Sequence, residues 1–180
     1  MPTATSSNST NARKRLPAFE MLGFRIQPDS EAPQFYCLIS AESELPVTIA
    51  NDVALFLHPE DAAAALRAAG VDPDSYDPLP SEPAVICDVA GALFRLESAP
   101  SDADAVILNC INTLLDCVKA TDLNLSESSR QVLHAVADHL TFSRDVEAIR
   151  VEERDSARDA ILWIVGALAV RSCLVRSSVQ

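Results

Sequence analysis

The stretch FYCLISAESELPVTIANDVALFLHPEDAAAALRAAG, residues 35–70, decides the fold class. Phe35-Tyr36-Cys37-Leu38-Ile39 is an aromatic and aliphatic run of strand length. The polar segment Glu42-Ser43-Glu44 turns the chain, and Val47-Thr48-Ile49 is expected to pair back as a hairpin. Asn51-Asp52 signals another turn, and Val53-Ala54-Leu55-Phe56-Leu57 is a further short apolar run. A helix over 59–69 follows. Pro59 suits its first position, Glu60 and Asp61 suit the positive end of its dipole, and Gly70 suits its C-terminal cap. Its alanines let it approach a sheet closely.

Downstream, residues 71–83 hold Pro73, Pro78, Pro80 and Pro83 among Asp72, Asp74, Asp77 and Glu82, so they form neither helix nor central strand. The next informative stretch is AVICDVAGALFRLESAPSDADAVILNCINTLLDCVKA, residues 84–120. Ala84–Asp88 predicts a strand and Gly91 a turn. Ala92, Phe94 and Leu96 alternate with Leu93, Arg95 and Glu97, the period of a half-buried strand. Ser101 offers an N-cap with Asp102 and Asp104 in the first turn. From there Ile107, Cys110, Ile111, Leu114, Leu115 and Val118 recur every three or four residues as one face of an amphipathic helix. Residues 35–70 and 84–120 thus share a strand–strand–helix pattern without evident residue identity.

The remainder is expected to be helical. Ser128 with Gln131 resembles a capping box for a helix carrying Val132, Leu133, Val136 and Leu140. Residues 141–153 are ambiguous, and Asp155 or Ser156 is expected to start a last helix through Val170. Upstream, Phe19, Met21, Leu22, Phe24 and Ile26 suggest a first short strand, whereas the Ser-, Thr- and Asn-rich residues 1–17 read as a disordered tail. The expectation is a single α+β domain over 18–180. It comprises an antiparallel sheet of four to five strands with helices on one side (18–121), then a helical part (122–180).

Charge restricts function more than fold. The chain of 180 residues has a net charge of −12, and residues 29–122 alone carry a balance of −14. Such a field repels phosphate backbones and anionic lipid surfaces, so neither nucleic acid nor membrane is an expected partner. A basic protein docking on an acidic face is. The candidate docking residues are Asp72, Asp74, Asp77, Glu82, Glu97, Asp102 and Asp104. Five cysteines lacking a CxxC spacing, with apolar neighbours, read as small core residues of a reducing, cytoplasmic setting. The apolar run Ala160–Val170 is too short for a membrane span, which takes about 20 residues.

No catalytic or cofactor device is legible. The four glycines lie too far apart to cradle a phosphate, and GxSxG and HExxH are absent. His134 and His139, five apart on a helix, diverge by about 140°, and Cys110 and Cys117 make no familiar zinc loop with them. Cys117, His134 and Asp138 contain the residue types of a nucleophile–base–orienter set, but a cysteine on the apolar stripe of a helix is ordinarily inert. Pro73 and Pro78 interrupt the carboxylates of 72–77, which lack the glycine of a calcium loop. No cofactor or metal is therefore expected.

The sequence thus points first to a non-enzymatic adaptor, assembly factor or inhibitor acting through an acidic surface. A small-molecule sensor or enzyme is the first alternative, its site assembled from distant residues around Cys87, Asp88, His134 and His139. The second alternative is a homo-oligomer subunit built through the apolar last helix.

Overall fold

The computed structural model describes residues 18–76, 78–101 and 105–176; the expected tail and the candidates Asp77, Asp102 and Asp104 lie outside them. Six strands and five α-helices are present among these residues: β1 (Phe19–Arg25), β2 (Phe35–Ser40), β3 (Thr48–Ile49), β4 (Asp52–Phe56), α1 (Ala62–Ala68), β5 (Val85–Asp88), α2 (Val89–Ser98), α3 (Val106–Ala120), α4 (Glu127–Phe142), α5 (Val151–Val170) and β6 (Ser172–Val175). β1 lies between β5 and β2, β2 neighbours β4, and β4 also pairs with short β3 and with β6. The β1–β2, β2–β4 and β3–β4 pairs are antiparallel. β5 joins β1 in parallel and β6 joins β4 in parallel, so the sheet is mixed rather than antiparallel throughout.

Strand alternation gives the sheet two buried faces. Leu22, Phe24, Cys37, Val53 and Cys87 face α2–α5, while Phe19, Met21, Leu38, Ala54 and Phe56 face α1. The helices therefore occupy both sides of the sheet, and not one side as the sequence suggested. α1 makes the second layer with three buried side chains, Ala62, Ala65 and Leu66. Its alanines permit close approach, a 3₁₀ turn at Pro59–Asp61 leads into it, and Gly70 ends it with φ of 80°. A helix so small covers only one end of a sheet whose other face carries four helices.

The second strand–strand–helix unit does not exist. Residues 92–97, expected to be a strand, belong to α2. Asp88 decides this, because its Oδ1 accepts from the Gly91 amide at 2.8 Å and caps a helix starting at Val89. The buried residues Val89, Ala92 and Leu96 follow helical spacing, while Phe94 is 67% exposed. α3 buries Ile107, Cys110, Ile111, Leu114, Cys117 and Val118, the stripe its periodicity announced. α4 begins two residues before the expected box, with the Ser126 Oγ accepting from the Ser129 amide. α5 starts at Val151, and after it the chain returns to the sheet as β6.

Arg171 locks that return. Its Nε donates to Asp52 Oδ1 at 2.8 Å and its Nη2 to the Thr121 carbonyl at 3.3 Å, tying the end of α5 to β4 and to the end of α3. No helix among the described residues is long and apolar enough to cross a membrane.

Candidate functional site

The space between the helical layer and the β4–β6 side of the sheet is incompletely filled. Phe24, Phe35, Val53 and Leu55 form its floor, and Leu114 and Cys117 of α3 with Val165 and Leu168 of α5 form its roof. The cavity between them measures about 360 Å³, within the roughly 300–1,000 Å³ of small-molecule sites. Its deep end is closed by Val53, Leu114 and Cys117, all at most 1% exposed. Its rim holds Ile26, Ala169 and Leu174, of which Ile26 and Leu174 are 39% and 42% exposed.

On α5 the lining alternates large Val165 and Leu168 with small Ala169 at the rim, and β6 follows after one residue. Strand period then aims Ser172 and Leu174 at the cavity and Val175 at the α1 layer.

Among the described residues, Cys117 and Ser172 carry the only side-chain heteroatoms in the lining. Burial pushes the Cys117 thiol up to about 12, with Asp116 and Cys110 adding to the effect. A thiol so protonated is a poor nucleophile. The lining can therefore hold an apolar surface but has no ionised group to move a proton or attack a carbonyl. Cys87, Cys110 and Cys37 lie beside it in the same core. The hydrogen bond between the Cys87 thiol and Cys110, followed by burial, holds Cys87 well above its ordinary value, and burial does the same to Cys37.

The residues singled out from the sequence do not assemble into this site. Asp72 and Asp74 are exposed on the turn after α1, where the Asp72 carboxylate accepts from the Asp74 amide and the Ser75 hydroxyl. Val71 and Leu79, either side of that turn, pack into the α1 layer. Glu97 belongs to α2 in the other layer and faces Arg158 of α5 at 3.4 Å. Glu82 is exposed on the loop before β5. The described acidic candidates are thus divided between the two faces of the sheet.

Asp88 is occupied by structure: beyond capping α2 it accepts a two-pronged contact from Arg25, with Nε at 2.8 Å from Oδ1. His139 Nε2 is 2.8 Å from the Asp145 carbonyl and fastens the connector after α4. His134 is exposed in an open groove with Asp116, Lys119 and Arg130, on the side of α3 away from the cavity that Cys117 lines. Cys117, His134 and Asp138 therefore do not meet. Among the described residues no three His, Cys, Asp or Glu side chains are grouped to hold a metal ion.

Sequence reasoning missed the cavity because its lining comes from seven separate segments. Each of these residues reads singly as core. Comparison with protein-family models, with curated proteins and with solved structures finds no match to this chain.

Proposed function

We propose that this protein is a carrier or sensor of a small hydrophobic molecule, held between the sheet and helices α3 and α5. One observation carries the reading: a 360 Å³ cavity with an apolar lining and a partly exposed rim. Water in such a space finds few hydrogen-bond partners, so an apolar ligand displaces it favourably. The protonated Cys117 favours binding over turnover.

A series of 1-alkanols from hexanol to decanol tests this, with affinity read by displacement of the neutral fluorophore N-phenyl-1-naphthylamine. Affinity should rise about fourfold per methylene while the chain remains inside, following about 0.8 kcal/mol per buried CH₂. Ala169→Phe should plug the rim and weaken decanol at least tenfold, with thermal unfolding confirming that the variant folds. Binding independent of chain length, or untouched by Ala169→Phe, would count against the cavity.

Of the acidic candidates, Asp72 and Asp74 lie beside the α1 layer and Glu97 lies on α2 in the other layer. A specific feature favours self-association as a second reading. The outer side of α5 exposes Leu162, Trp163 and Val170, and residues 160–170 contain no ionisable side chain. A basic partner would require acids there, whereas a second copy of this uncharged face is compatible with it. Sedimentation of Trp163→Glu against the parent chain distinguishes a dimer from a monomer.

A further inference from the structure

We infer that the ligand is a single-chain amphiphile with an anionic head, a monoacyl carboxylate, whose head lies beside Arg176. This rests on the cavity reading above. Ser172 and Leu174 of β6 line the cavity while the intervening Cys173 and the following Val175 alternate away, Val175 packing into the α1 layer. Arg176 follows β6 directly, two residues beyond the rim residue Leu174, and one more step of the strand period would turn it to the cavity side. Arg176 is exposed and forms no ion pair among the described residues.

The neighbouring cations are committed elsewhere. Arg25, next to the rim residue Ile26, is held by Asp88, and Arg171 is held by Asp52. The Ile26 side of the rim also continues into the loop bearing Asp29 and Glu31, which repels an anion. The rim is therefore polarised, with carboxylates following Ile26 and a cation following Leu174. A chain entering past Leu174 reaches the closed end at Val53, Leu114 and Cys117, where no charge can be accommodated. Its charged group remains outside, within the range of the Arg176 guanidinium.

The test compares decanoate with 1-decanol, both below their aggregation thresholds at pH 8 and low salt, on the parent chain and on Arg176→Ala. The readout is the ratio of the two affinities. An exposed ion pair contributes modestly, so decanoate should bind the parent about two- to fivefold more tightly than the alcohol. The ratio should fall to about one in Arg176→Ala and below one in Arg176→Glu, and added salt should shrink the parent's preference. Decanol bound with no preference for decanoate, or a preference that survives Arg176→Ala, overturns the head-group assignment and leaves the cavity reading standing. Failure of both compounds to bind overturns both.

Discussion

Asp116 and Cys117 are adjacent on α3 yet meet opposite surroundings, and the difference shows what the helix separates. Cys117 points into the cavity and Asp116 into the open groove shared with Lys119 and His134. Burial raises the Asp116 carboxyl above its ordinary value; Lys119 opposes this and Glu44 adds to it. The folded chain therefore holds this proton more tightly than the unfolded chain. Its contribution favours folding at low pH and is lost as pH rises from the usual carboxylate range through the raised value. Asp116→Asn should accordingly be more stable than the parent at pH 7, by under about 1 kcal/mol because the group is half exposed and screened by water. The gain should vanish near pH 3, as denaturant titrations at both pH values would reveal. At this scale the sequence was readable where a residue does one thing. All five cysteines were expected in the core; Cys37, Cys87, Cys110 and Cys117 are buried there, while Cys173 on β6 is half-buried. The Asp88–Arg25 contact was unreadable because Arg25 reaches Asp88 only when β5 has joined β1, whereas its cap to the Gly91 amide is three residues away.

α2 is where the element scale departs from the sequence. Ala92, Phe94 and Leu96, alternating with Leu93, Arg95 and Glu97, span too few positions to separate a period of two from one of 3.6. What decides is the residue in front: capped by Asp88, the chain enters a helix, and Phe94 and Leu96 point in different directions. Leu96→Ala should cost about 2–5 kcal/mol, the range for truncating a buried leucine. Phe94→Lys should change stability by less than about 0.5 kcal/mol, as at most surface sites. Similar large losses for both, measured by urea unfolding, would restore the strand. α1 was legible from Pro59 before it and Gly70 after it, and α3 from its long apolar period, although α3 starts at Val106 with Ala105 in front of it and not at an N-cap Ser101. β6 was not, since Ser172–Val175 is four residues long and gains its partner from β4, over a hundred positions earlier.

For the whole molecule, the α+β class and the helical character of the C-terminal part were legible, but the layering was not. Hydrophobic period locates a buried face without saying which side of a sheet it covers, and α1 took the side opposite α2–α5. The same blindness hides the cavity. It is the residual space between the β1–β2–β4–β6 part of the sheet and helices α3 and α5, and only their relative placement creates it. The exposed outer side of α5 and the cavity beneath its inner side make two separable surfaces on one helix. A methyl-labelled sample titrated with 1-decanol distinguishes them directly. Chemical-shift changes are expected at Ile26, Val53, Leu114, Val165, Leu168 and Leu174, with Leu162 and Val170 unmoved. Changes confined to Leu162 and Val170, or none at all, would contradict a ligand seated between the sheet and α5.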